Sequence, residues 1–194
     1  MKSFIKALGS IFISNPYGVS SSNGEYLFIY DDKDAEQTFM SEVDTHPGNS
    51  MTIINHSQCE VSHICIDGGL IEYGLPDYVG DGLPHGRNDC MAFTNAMLLL
   101  IELKMDVTEV SLDKTRWGRY SEAMHQLSDF YLYLIKKLEE NGHPMDEFYS
   151  RSAIHPIVCM KNPPKPSAQR NNEKEKFRLK TNLIIETEVE YSIA

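Results

Sequence analysis

Three charged residues stand at the ends of two apolar segments in the middle of the chain. Asp89 precedes the first segment, and Glu102 and Lys104 close the second. Side chains on a strand alternate between faces, so Glu102 and Lys104 share one face while Leu103 points to the other. Burying an acid and a lysine in such a strand costs several kcal/mol without compensation. A bound metal ion or a polar cleft that holds substrate would supply that compensation.

Two strands and a helix are expected to position these residues. The pattern predicts strands over 89–94 and 97–104 around a tight turn at 94–96. From Tyr120 to Leu138, apolar residues recur at three- and four-residue steps, which indicates an amphipathic helix. Asn141-Gly142, followed by a proline, is typical of a helix end.

Weaker signals predict the rest of the chain. We expect helices over 1–12 and 34–43, and loops over 74–86 and 162–172. Further strands are expected at 25–30, 52–54, 60–66, 70–73, 154–160 and 182–193. An order of strands, one long helix and strands again predicts an α/β fold with a mixed sheet covered by helices.

Composition limits the classes of protein that this chain can be. Its 194 residues suit a single domain, in which 51–194 form the core and 1–50 an N-terminal elaboration. The net charge of −10 argues against a broad basic face that coats nucleic acid.

The same sequence predicts a cytoplasmic protein that does not enter the membrane. Lys6 interrupts the first apolar run before a signal-peptide core can form, and no run reaches the roughly 20 apolar residues of a membrane span. The four cysteines are irregularly spaced, which favours reduced thiols.

Taken together, the motif resembles that of a known enzyme superfamily. Asp89, the turn between two strands, the tripeptide Glu102-Leu103-Lys104 and the helical segment 126–130 resemble the PD-(D/E)XK nucleases. More narrowly, they resemble small bacterial members that are poorly characterised. The resemblance covers about half of the chain, 60–160, and implies a restriction-endonuclease-like core with a mixed central sheet flanked by helices. One departure is Asn88, which stands where the family often has a proline.

The resemblance also implies roles for particular residues. Asp89, Glu102 and the carbonyl of Leu103 would bind Mg²⁺ or Mn²⁺, and hard oxygen ligands of this kind suit Mg²⁺. Lys104 would lie beside the attacking water, and Gln126 would support the site. The expected substrate is DNA or RNA, and cutting both strands would favour a homodimer.

Two other functions compete with this hypothesis. A catalytically inactive interaction protein on the same scaffold is favoured by the acidic net charge, and it would bind a protein partner. Alternatively, 89–93 could begin a helix that carries Cys90 as the nucleophile of a papain-like amidase. The candidate bases would be His125, His143 and His155, although a buried structural cysteine is the simpler interpretation.

Two further groups of residues could bind ligands. His56, Cys59, His63 and Cys65 have the residue types of a zinc site, but their spacing fits one poorly. The segment 161–180 contains seven lysines and arginines and two glutamates. We expect that basic stretch to be a loop that could contact phosphate.

Overall fold

The structure is a computed structural model that describes residues 2–11, 19–35, 37–66, 79–80, 83–84, 89–107 and 110–193. The helices are α1 (Lys2–Ile11), α2 (Asp113–Glu140) and α3 (Ala168–Thr181). The first seven strands are β1 (Ser20–Ser22), β2 (Tyr26–Asp32), β3 (Gln37–Ser41), β4 (Ser50–Asn55), β5 (Val61–Cys65), β6 (Val79–Gly80) and β7 (Leu83–Pro84). The last four are β8 (Cys90–Phe93), β9 (Leu98–Leu103), β10 (Ile154–Cys159) and β11 (Glu190–Ile193). Two short 3₁₀ helices, Met145–Glu147 and Arg151–Ala153, lie between α2 and β10.

A mixed five-stranded sheet carries the predicted motif. Its strand order is β1-β5-β8-β9-β10, in which neighbours are antiparallel except for the parallel pair β9 and β10. The helix α2 connects that parallel pair, as such a crossover requires. The predicted α/β fold with a mixed sheet is confirmed, as are the strands β8 and β9 and the turn between them.

This sheet is buried on both faces, which explains its continuous apolar runs. One face packs against α1 and α2 through residues such as Phe4, Phe93 and Leu127. The other face packs against a second sheet of order β11-β4-β2-β3, where Ile29 and Ile53 join the same apolar cluster. The layers are therefore helices, a mixed sheet and a second sheet. Residues before position 50 contribute to both sheets and to the core.

The prediction of a helix over 34–43 is wrong, because this segment contains β3, which forms a hairpin with β2. The Oδ1 atom of Asp32 accepts hydrogen bonds from the backbone N–H groups of Asp34 (3.0 Å) and Ala35 (3.1 Å). These bonds hold a turn rather than a helix start. The strand β3 then pairs antiparallel with β2, and Thr38 becomes buried.

The prediction of a loop over the basic stretch 161–180 is also wrong for the residues that follow its prolines. Ser167 accepts a hydrogen bond from the N–H of Arg170 and thereby caps α3, which then runs to Thr181. Phe177 anchors this helix in the core next to α2. The basic side chains are therefore placed on a helix, where two of them pair with glutamates three residues earlier.

Other predictions meet the structure in part. The helices predicted at the N-terminus and from Tyr120 are confirmed, but α2 begins seven residues earlier, at Asp113. The final strand is shorter than expected, since only Glu190–Ile193 is extended in the sheet. The strand expected over 70–73 lies outside the described residues, and within 74–86 only the paired strands β6 and β7 are described. In the part of the chain that the structure describes, no helix is long and apolar enough to cross a membrane.

Candidate functional site

The alternation of β9 directs the two charged residues of the motif toward α2. Leu98 and Leu100 pack beneath the helices, whereas Leu99 and Ile101 face the second sheet. Continuing the alternation places Glu102 on the helix-facing side. Its side chain is fully buried, and the next residue on that side, Lys104, is 7% exposed. The predicted shared face is therefore present, and it is deeply buried.

All five predicted site residues meet in one hydrogen-bonded network. The Nζ atom of Lys104 lies 2.6 Å from Oε1 of Glu102 and donates a hydrogen bond to Oε1 of Gln126 at 3.0 Å. The backbone N–H of Asp89 donates to Oε2 of Glu102 at 3.2 Å. In return, a carboxylate oxygen of Asp89 accepts a hydrogen bond from the N–H of Leu103. The pairing of β8 with β9 thus brings together residues that are thirteen and fourteen positions apart in sequence, and the packing of α2 adds Gln126.

Burial has the largest influence on the charged groups of this network. Burial raises the pKa of Glu102 well above its ordinary value, and the nearby charge of Asp89 raises it further. Lys104 opposes this shift without cancelling it. Burial lowers the pKa of Lys104 itself, but its interaction with Glu102 outweighs that effect, so the net shift is upward. Among the described residues of this network, the carboxylates of Asp89 and Glu102 lie near one ammonium group, and an added cation would favour the charged form of both.

A cleft of about 500 Å³ opens beside this network at the end of β9. One wall comes from the mixed sheet and α2, and the other comes from the second sheet. The lining residues are Asp31, Asp32, Lys33, Asp34, His46, Asn49, Asp89, Leu103, Lys104, Met105, Asp106 and Arg119. Glu102 lies buried beneath this lining. A molecule in the cleft would therefore meet Asp89 and Lys104 directly.

Sequence reasoning missed the second wall of the cleft. The sequence pattern predicts that 31–34 ends one strand and that Asp34 begins a helix, although three of these four residues are aspartates that line the cleft. Arg119 directly precedes the helix predicted from Tyr120 and is not among the predicted site residues. Its guanidinium lies 2.6 Å from Asp106 and 3.3 Å from Glu122 at the mouth of the cleft. A run of charged residues directly after an apolar strand was the available signal for the second wall.

Cys90 lies in an environment unlike that of a catalytic thiol. It belongs to a strand and not to a helix, so the helical placement is wrong. Its side chain has no exposed surface. Burial, followed by the charge of Asp89, raises the pKa of the thiol well above its ordinary value. Such a thiol carries little thiolate near neutral pH, which disfavours the amidase hypothesis.

The four residues of the predicted zinc pattern do not come together as a metal site either. His63 is buried in the mixed sheet, where its Nε2 atom lies 3.2 Å from the hydroxyl of Thr38. His56 is exposed beyond the end of β4. Within the described ranges, no three His, Cys, Asp or Glu side chains are grouped so that they could hold a metal ion. A metal site here would depend on fewer side chains.

The pair Asp89 and Glu102 fits one class of metal ion in particular. Mg²⁺ is commonly held by one or two carboxylates, with water and substrate phosphate oxygens completing its shell. A divalent cation beside Glu102 would oppose the rise in its pKa that burial and the charge of Asp89 cause. Leu103, whose carbonyl is the third predicted ligand, also lines the cleft.

Comparisons with known proteins do not add to this geometry. No protein-family model matches the sequence, and no curated protein or solved structure is significantly similar to it. The functional inference for this chain therefore rests on its own residues and their arrangement.

Proposed function

We propose that this chain is a metal-dependent nuclease that hydrolyses phosphodiester bonds on a restriction-endonuclease-like core. The observation that carries the proposal is the network of Asp89, Glu102, Lys104 and Gln126 at the wall of a cleft. A mixed sheet with α1 and α2 packed on one face also supports it. Few structural needs call for a buried acid and a buried lysine two residues apart in a central strand.

Each residue has a defined role in this proposal. Asp89, Glu102 and the carbonyl of Leu103 hold Mg²⁺ or Mn²⁺. When bound, such an ion lowers the pKa of a coordinated water and offsets phosphate charge. The ammonium group of Lys104 orients the attacking water and stabilises charge that develops on the phosphate. Gln126 keeps that ammonium group at the cleft wall through its 3.0 Å hydrogen bond.

A second function is favoured by a specific feature of the same network. The ion pair of Glu102 with Lys104 and the bond from Leu103 to Asp89 compensate these charges within the protein. On this alternative, the network braces β8, β9 and α2 in a protein that binds a partner without catalysis. Buried ion pairs of this kind do occur without any catalytic function.

Cleavage by matched variants separates the two functions. Single-stranded and duplex DNA and RNA are incubated with Mg²⁺, Mn²⁺ or EDTA, using wild type, Glu102→Gln and Glu140→Gln. Glu140 is a suitable control because it lies on the exposed surface at the end of α2. A nuclease predicts metal-dependent cleavage that only Glu102→Gln abolishes, by about 100-fold or more. Cleavage that survives in Glu102→Gln, or is absent from wild type with every substrate, would contradict the proposal.

A further inference from the structure

Aromatic residues occupy the outward positions of β2, on the face of the second sheet that points away from the mixed sheet. Leu27 and Ile29 point inward and are fully buried in the apolar cluster between the sheets. The intervening residues Tyr26, Phe28 and Tyr30 therefore point outward. Neither apolar cluster of the described residues includes these three side chains. Their rings are thus not explained by the packing of the core.

Three rings on this face form a continuous row that reaches the cleft. The rings of Tyr30 and His46 are stacked, with centroids 4.1 Å apart and planes inclined by 22°. On the other side, the ring of Phe39 lies 5.9 Å from Tyr30 at an inclination of 28°. Phe39 lies opposite Tyr30 on the edge strand β3 and is 37% exposed. His46 also lines the cleft, so the row joins the edge of the sheet to the candidate site.

The charges around the cleft restrict what can lie across this row. Among the described residues, the lining contains five aspartates and three lysine or arginine side chains, namely Lys33, Lys104 and Arg119. A nucleic-acid duplex is bound mainly through phosphate contacts, and a protein that makes six to ten of them needs that many cations. The described lining supplies about three such contacts. A nucleic acid that lies across this part of the protein would therefore need contacts to its bases for much of its affinity.

Bases are accessible to aromatic rings only when they are not paired within a duplex. Single-stranded nucleic acids bind proteins through successive bases that stack on aromatic side chains, largely independently of sequence. We propose that the row of Phe39, Tyr30 and His46 is a stacking surface for single-stranded nucleic acid, whose backbone it directs toward Lys104 in the cleft. This inference rests on the proposed function and specifies its substrate as a single strand.

Binding of labelled oligonucleotides tests the surface independently of cleavage. Fluorescence anisotropy is measured with single-stranded oligothymidylate, oligouridylate and a duplex of equal length, in EDTA and again in Ca²⁺. Tyr30→Leu and Phe39→Leu keep apolar volume but remove the ring, whereas Tyr30→Phe keeps the ring. Tyr133→Leu on α2 is the matched control, because Tyr133 is a half-buried tyrosine far along the helix from Arg119. Thermal melts establish that each variant is folded.

We expect Phe39→Leu to weaken single-strand binding by about tenfold or more, consistent with the loss of one stacked base. Tyr30→Leu should weaken binding by a similar factor, because the ring of Tyr30 stacks against both Phe39 and His46 and holds them in one row. Tyr30→Phe and Tyr133→Leu should bind like wild type, and the duplex should bind more weakly than either single strand. With about three phosphate contacts, log K should fall with log salt at a slope no steeper than about −2. Unchanged binding by folded Tyr30→Leu, equally tight duplex binding, or no binding in either buffer would overturn the inference.

The two proposals fail in different ways. Ring-dependent binding of single strands without any metal-dependent cleavage would overturn the nuclease and keep the stacking surface. Cleavage that is normal in Tyr30→Leu and Phe39→Leu would keep the nuclease and overturn the stacking surface.

Discussion

The main energetic cost of this site is the burial of two charged side chains, Glu102 and Lys104. Both are buried, and their charged atoms lie 2.6 Å apart. A buried ion pair adds little net stability, yet removing one partner leaves the other charge uncompensated. The pair therefore ties the stability of the fold to the chemistry of the site.

Replacing Glu102 should reveal this dependence. Glu102→Ala leaves the ammonium group of Lys104 buried without its carboxylate and should lower the free energy of unfolding by roughly 3–5 kcal/mol. Glu102→Gln keeps the volume and one acceptor oxygen, so it should lower that free energy less. Urea denaturation measures both variants, with Glu140→Gln as the exposed control. Wild-type stability in Glu102→Ala would show that the pair is not buried as described.

At the scale of single elements, His63 on β5 connects the two sheets. Its ring nitrogens lie 3.2 Å from the hydroxyl of Thr38 on β3 and 3.5 Å from that of Ser20 on β1. Burial lowers the pKa of His63 to about 4. The imidazole is therefore neutral in the folded protein across the range in which an unfolded histidine becomes protonated.

This shift predicts a specific pH dependence of stability. Between pH 6.5 and about 4, the unfolded state binds a proton at His63 that the folded state does not bind. The free energy of unfolding should therefore fall as the pH falls through this window, by roughly 3 kcal/mol in total, at about 1.36 kcal/mol per pKa unit.

Carboxylates titrate in the same window, so the informative quantity is the difference between wild type and His63→Gln. Urea denaturation of both proteins at several pH values gives that difference. The free energy of unfolding of wild type minus that of His63→Gln should decrease on acidification. Only in wild type does unfolding allow a proton to bind at position 63. A constant difference across the window would contradict the account.

The helix α3 depends on a local signal at its start. Ser167 accepts the hydrogen bond from the N–H of Arg170. Ser167→Ala should lower the free energy of unfolding by about 1 kcal/mol, whereas Ser167→Asp, which preserves an acceptor, should be close to neutral. Chemical denaturation of the two variants tests this. Equal loss in both would show that the cap is not formed by the side chain.

These elements also show which parts of the structure the sequence could predict. The strands β8 and β9 and the body of α2 were predictable because long apolar runs and a 3.6-residue period are strong signals. The strand β3 was missed because the carboxylate of Asp32 forms a turn at 32–35, whereas the sequence pattern predicts that a helix begins at Asp34. The helix α3 was missed because its sequence is highly charged and follows three prolines. Its helix signals are only the serine cap at Ser167 and the buried Phe177, which faces α2.

At the scale of the whole molecule, the cleft is a product of the packing of two sheets. Asp89 and Lys104 come from the mixed sheet, while 31–34 come from the second sheet, more than fifty residues earlier in the chain. Local patterns predict strands, but they do not determine which sheet each strand joins or which loops then meet. The motif residues were therefore predictable from sequence, whereas the acidic wall facing them was not.

Titration of metal into the folded protein tests the central claim most directly. Isothermal titration calorimetry compares Mg²⁺ and Mn²⁺ binding by wild type, the double variant Asp89→Asn/Glu102→Gln, and the exposed control Glu175→Gln on α3. Each titration is repeated with a single-stranded oligonucleotide present, since phosphate oxygens can complete a Mg²⁺ shell. The account predicts binding by wild type and Glu175→Gln that the double variant loses. Equal binding by all three proteins, or none by wild type with or without the oligonucleotide, would contradict it.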